Sequence, residues 1–150
     1  MIFFQRLFAP KKPAASRRVL DIETVRVLLK HAIEGRTQSN YRDIWSKSKM
    51  ATITAAEVTA ASLKAYKPWR EHSWECEDQA RSLVEVAQRK AADEGMTWAI
   101  GILFADPPNP RFDGPRHVYV WAVVSSSIVF YDPTAVEWCE CPENIYFSLA

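Results

Sequence analysis

His117-Val118-Tyr119-Val120-Trp121-Ala122-Val123-Val124-Ser125-Ser126-Ser127-Ile128-Val129-Phe130-Tyr131-Asp132 is the stretch that decides the fold. β-Branched and aromatic residues fill two runs, His117–Val124 and Ile128–Asp132, with serines between them. This is the pattern of a β-hairpin. Side chains alternate faces along a strand, so the turn chosen by the serines decides which residues meet. With Val124-Ser125 as the turn, His117 stands directly opposite Asp132. With Ser125-Ser126 it stands diagonal to Asp132, about 7–8 Å between Cα atoms and still within side-chain reach. A turn centred on Ser126 sends the two to opposite faces.

Outward from the hairpin, Met96–Phe104 reads as a third strand, joined to it by the proline-rich loop Ala105–Arg116. Upstream the period changes to that of helices. Cys76, Ala80, Leu83/Val84, Ala87 and Ala91 share one face of a helix expected from about Ser73 to Glu94, with Gly95 after it. Thr54 and Glu57 form a capping box for a second helix, which Pro68 ends. Asp21 caps a first helix with the stripe Ile22, Val25, Leu29, Ala32/Ile33, stopped by Gly35. Arg36–Ile53 reads as a polar connection dotted with aromatics. Helices first and antiparallel strands afterwards predict an α+β domain.

The 150 residues suffice for one domain with a real core, and 48% hydrophobic with 25% charged residues is ordinary for a globular chain. Nineteen Lys and Arg nearly balance eighteen Asp and Glu, so net charge points to no nucleic acid and no membrane. Residues 1–19 read as an apolar arm and a basic linker with Lys11, Lys12, Arg17 and Arg18, and 20–150 as the domain. The arm, Met1 to Pro10, is too short to span a bilayer and lacks the order of a signal peptide. The three cysteines, Cys76, Cys139 and Cys141, form no secreted disulfide framework, which predicts a reducing, cytoplasmic setting.

Cys76 falls in the first turn of its helix, where unpaired N–H groups and the dipole favour a thiolate and where the same donors suit an oxyanion. His117 is the matching base and Asp132 the group that fixes its tautomer. Taken singly, each has a plainer reading: a small buried hydrophobe, a strand-end histidine, and a turn initiator in Asp132-Pro133-Thr134.

Cys76-Glu77-Asp78-Gln79-Ala80 resembles the Cys-Glu-Asp-x-Ala signature of the papain-like C-terminal domain of the fairy-ring mushroom agglutinin, a family with phage and bacterial members, and of the bacterial transglutaminase-like cysteine proteinases. Trp98–Phe104 looks like the strand before the histidine, His117–Trp121 like the histidine strand, and Tyr131-Asp132-Pro133-Thr134 like the third-residue strand. The agglutinin family has glutamate where Asp132 stands. The resemblance spans residues 54–138. It implies a papain/transglutaminase-like fold, with N-terminal helices packed on a small antiparallel sheet. It also implies a cysteine hydrolase (a peptidase, or an amidase or acyl transferase) acting on a protein or peptide substrate through a thioester. Calcium or another divalent cation near Glu77 and Asp78 is a further implication. Those two acids also suit a helix start for dipole reasons alone. Gln38, Asn40, Trp69 and His72 are the candidates for a side-chain oxyanion donor, and Arg111 and Arg116 for contacts to an acidic substrate.

Two rivals stand beside this reading. One is a zinc site made from His72, Cys76, Cys139 and Cys141. The other is a non-catalytic binding or inhibitory protein, of phage type and directed at a host partner, with Trp45, Trp69 and Trp74 as an aromatic patch.

Overall fold

A computed structural model describes residues 17–68, 70, 75–106 and 117–150. In chain order these form β1 (Val19–Asp21), α1 (Ile22–Ala32), β2 (Thr37–Ile44), β3 (Lys49–Ala51), α2 (Ala55–Ala65), α3 (Cys76–Asp93), β4 (Ile100–Ala105), β5 (His117–Val124), β6 (Ser127–Asp132), β7 (Glu137–Cys139) and β8 (Ile145–Leu149).

The helix signals act as local chemistry dictates. The Asp21 side chain accepts the Thr24 N–H at 2.9 Å and so caps α1. Thr54 and Glu57 exchange both bonds of the capping box at α2. Gly35 and Gly95 take φ of +75° and +67° after α1 and α3, a left-handed conformation that costs glycine nothing. The start of α3 differs from expectation. Glu75 is its N-cap, the Asp78 carboxylate accepts the Glu75 N–H at 3.0 Å, and Ser73 lies outside the described residues.

Six strands form one sheet in the order β2-β8-β4-β5-β6-β7. All neighbours are antiparallel except β2 and β8, which run parallel. A separate antiparallel pair joins β1 to β3. The expectation of N-terminal helices on a small antiparallel sheet is therefore corrected. The sheet is large and mixed, it dominates the molecule, and the three helices flank it. Three of its strands escaped the sequence pattern. Thr37–Ile44 is too polar to show a buried face, and β7 and β8 are short.

The helices lie on both faces. On one, α2 and α3 contribute Val58, Ala61, Ala65, Ala80, Leu83, Ala87 and Ala91 against Ile100, Ile102, Val118, Val120, Ala122 and Tyr131. On the other, Val25, Leu29 and Ile33 of α1, with Leu20 and Met50, cover Leu103, Trp121, Val123, Phe130 and Ile145. The alternation along β5 sorts even and odd residues cleanly between these clusters. Gly101, paired with Trp121, is required by close approach: a Cβ there would lie 2.4 Å from the Leu149 carbonyl oxygen and 2.6 Å from the Trp121 ring.

One long-range tie binds the start of the described chain. The Arg17 guanidinium is buried, with 3% of its side chain exposed, and it pairs with Glu57 of α2 and with Glu94 after α3 (2.9 Å to the latter). It also sits 4.5 Å over the centre of the Trp98 ring. These contacts hold the Glu57 carboxyl at about 2: burial raises it, and the Arg17 bonds and the Thr54 donors outweigh burial.

Candidate functional site

The hairpin register fixes the geometry. Val120 pairs with Tyr131 and Val124 with Ser127, so Ser125-Ser126 is the turn. Ser125 carries a φ of +57°, the positive value that primed hairpin turns need at their first position. Of the registers weighed from the sequence, this is the diagonal one. His117 and Asp132 share a face, and His117 Nε2 lies 3.0 Å from Asp132 Oδ2.

Asp132 does two jobs with two oxygens. Oδ2 meets the imidazole, while Oδ1 accepts the N–H groups of Thr134 and Ala135 at 3.0 and 3.2 Å. One carboxylate thus makes both the turn contacts and the contact with the imidazole. Burial would raise this carboxyl, but the bond to His117 and the two backbone donors win and hold it below the usual range. Tyr119 stands edge-on to the imidazole, ring centres 4.5 Å apart. Burial first, and the Asp132 charge second, push its phenol up to about 12, so it stays a donor at neutral pH.

Cys76 is the first residue of α3 and packs against the α2/α3 cluster beside Val118. The Val118 N–H, next along β5 from His117, donates to its sulfur, as does the Glu77 N–H. Sulfur and imidazole thus reach the same strand end, the sulfur edgewise at Val118, the imidazole on the Tyr119 face with Asp132. The expected depression of the thiol is corrected: burial pushes Cys76 up, and the backbone donors at the helix start only partly offset it.

A cleft of about 560 Å³ opens at this end, lined by Glu75, Cys76, Glu77, Phe104, Val118, Tyr146 and Phe147. The sequence reading missed Phe104, Tyr146 and Phe147 as site residues. Two of them belong to β8, a strand it did not see. Phe104 lies 5.5 Å from Phe147 and 6.2 Å from Tyr146, ring centre to ring centre, forming a continuous aromatic wall. Gln38 stands at the same end of the sheet, where its amide donates to Asp106 and to the Asn144 carbonyl.

Glu77 accepts from Arg81 at 2.7 Å, and Asp78 caps the helix, so both acids make the contacts of helix-start residues. Among the described residues no group of three or more His, Cys, Asp or Glu is placed to hold a metal ion. Cys139 and Cys141 line a different cavity beside Trp138, and no disulfide joins any of the three cysteines. Trp45 is not part of an exposed patch: its ring leans on Trp121, 5.5 Å between centres. Trp69, His72, Trp74, Arg111 and Arg116 lie outside the described residues.

No protein-family model matches the chain, and no curated protein matches it. Solved structures do. A structure described as a PSL1a-E64 complex superposes with a TM-score of 0.72 at 18% identity, covering 88% of this chain and 51% of that one. Polyporus squamosus lectin, bound to the human-type influenza-binding epitope Neu5Aca2-6Galb1-4GlcNAc, gives 0.62 at 18% identity, covering 88% and 49%. The chain spans about half the length of each. These findings correct the family expectation. The likeness in three dimensions is to a lectin chain, and no family match supports the papain-like or transglutaminase-like assignment drawn from the three motifs. The fold expected under that name and the cysteine hydrolase with its protein or peptide substrate are corrected with it. No helix among the described residues is long and apolar enough to cross a membrane.

Proposed function

We propose that the chain is a binding domain whose ligand lies in the cleft at the end of the sheet, across the Cys76 sulfur. The observation that carries this is the cleft itself. An aromatic wall of Phe104, Tyr146 and Phe147 faces two carboxylates, Glu75 and Glu77, at a helix start. Such a cleft suits an extended ligand that lays an apolar face on the rings and offers hydrogen-bond donors to the acids. A saccharide is one ligand of this kind. The two structural neighbours each carry a bound molecule in their descriptions, a sialylated trisaccharide in one and E64 in the other. Cys76 is the proposed contact residue in the cleft, and the His117–Asp132 pair, on the Tyr119 face of β5, stands outside its lining. A cytoplasmic setting agrees with three thiols that stand outside any disulfide.

Calorimetric titration with E64 and with Neu5Aca2-6Galb1-4GlcNAc tests the reading. At least one should bind, and Phe104→Ala should weaken it about tenfold. The bound probe should also shield Cys76 from iodoacetamide. Absence of binding by both, or binding indifferent to Phe104→Ala and without shielding, would sink the proposal. Because burial raises the thiol, alkylation of Cys76 should be slower at neutral pH than for an exposed cysteine and should climb as pH passes above the ordinary thiol value. Rapid labelling below neutrality would contradict that.

A further inference from the structure

We infer that Cys139 and Cys141 form a two-sulfur chelating site for a soft monovalent metal ion of the Cu(I) class, because both thiols leave one face of the chain at the sheet edge and line one open cavity. β7 ends the strand order of the six-stranded sheet, and Cys139 is its last residue, opposite Phe130 of β6. Cys141 follows two positions later. Along extended chain, residues two apart share a face. Burial keeps that alternation: Cys139 and Cys141 are half-buried, and Glu140 between them is exposed. Both sulfurs belong to a cavity of about 620 Å³, lined also by Ile128, Phe130 and Trp138.

The charges around the pair favour a cation between the sulfurs. Burial, then Asp132, Cys141 and Glu137, push the Cys139 thiol up to about 11. Cys141 is thus close enough to act on Cys139 by its charge. Burial also pushes Cys141 up to about 11, with Arg36 lowering it and Glu143 raising it. The Tyr119 phenol, raised in part by Cys139, stays neutral beside them. Two thiolates in such a place repel each other, and a metal ion bound by both removes that repulsion.

Donor number and softness select the ion. Among the described residues no third His, Cys, Asp or Glu joins the pair as a metal-holding group. Zinc takes four ligands, and calcium takes six or more oxygens. Thiolate sulfur selects Cu(I), which accepts two ligands in line. Capture breaks two S–H bonds and forms two S–Cu bonds. Both protons pass to solvent, the Cys141 proton leaving its bond to the Pro142 carbonyl at 3.5 Å, and copper keeps its oxidation state.

The test is an anaerobic titration of the reduced whole chain with Cu(I) buffered by the coloured chelator bicinchoninate. The chain should withdraw one copper from the chelator, with no rise in mass by light scattering. Alkylation mapped by mass spectrometry should find Cys139 and Cys141 shielded together, and Cys76 labelled as in the copper-free chain. Cys139→Ser and Cys141→Ser should each weaken capture by more than about a hundredfold, beyond what losing a supporting contact costs. Uptake should tighten as pH rises, because two protons leave. An equal amount of Zn(II) should leave the copper in place. Near-ultraviolet circular dichroism verifies that each variant is folded, and the shielding of the unaltered chain needs no variant. No copper withdrawn, shielding of Cys76 alone, copper held between two chains, displacement by zinc, or capture that survives either serine substitution overturns the inference.

Discussion

The two faces of the sheet are filled by opposite means. Beneath α1 the core is built from large side chains, Trp121, Leu29, Ile33, Leu103 and Phe130 among them. Beneath α2 and α3 it is built mainly from alanine on the helix side, with Ala61, Ala65, Ala80, Ala87 and Ala91. One helix with branched residues can seal a face alone. Two helices that must lie close to each other and to the same sheet need small residues where they meet. The lesson is that stability per residue should concentrate on the first face and room for ligands on the second. The alanine face is also the one along which the Cys76 cleft opens.

The comparison can be broken most directly at Trp121, fully buried and central to the large-residue face. Trp121→Ala should cost about 3–5 kcal/mol in urea unfolding. A loss near 1 kcal/mol would mean the faces are not so different. Arg17→Met comes next, at about 3 kcal/mol, since it leaves Glu57 and Glu94 close together without their cation. Its pH dependence has a definite sign. The folded Glu57 value is lowered from 4.5 to about 2, so the stabilisation is complete above 4.5 and fades as pH falls toward 2. Wild type and variant should converge across that window. On the alanine face, Ala80→Val should cost about 1–3 kcal/mol by overpacking, because Ala80 is 0% exposed. A stabilising Ala80→Val would reveal slack where we describe tight helix contact. The smallest effect is Asp132→Asn, about 1 kcal/mol. Asparagine keeps the acceptor for Thr134 and Ala135 and loses only the ionic half of the His117 bond. That difference should vanish as pH falls below the ordinary aspartate range, because the Asp132 carboxyl is held lower in the folded state.

What could be read in the sequence was local or periodic. Asp21, the Thr54–Glu57 box, Gly35 and Gly95 act through neighbours a few residues away, and each does what its chemistry dictates. The helix stripe Ala80, Leu83, Ala87, Ala91 and the strand His117–Val124 show clean periods because each buries one side or both. The His117–Asp132 pairing was legible as a small set of registers, and the Ser125 turn selected one of them. Tertiary partners were not legible. Thr37–Ile44 becomes a strand only because β8 returns beside it, a parallel pairing more than a hundred residues away in sequence. The aromatic wall of the cleft depends on that same strand, so half of the candidate site stayed hidden. The thiol's ionisation was misread because helix-start donors are visible in a sequence, whereas the burial that outweighs them is not. Three short motifs suggested a family, and the likeness found in three dimensions, one of fold at 18% identity, did not uphold it.

Arg17 also sets a limit on how far the chain can be shortened. Its side chain is the counter-ion of two carboxylates carried by separate helices, and its ring contact caps the Trp98 indole. A fragment that starts at Arg18 would retain every helix and strand of the described residues yet carry an uncompensated pair of negative groups at the α2–α3 junction. Engineered versions, fusions and protease-trimmed forms should therefore keep residue 17, and a cut on its far side should loosen the two-helix layer before it disturbs the sheet.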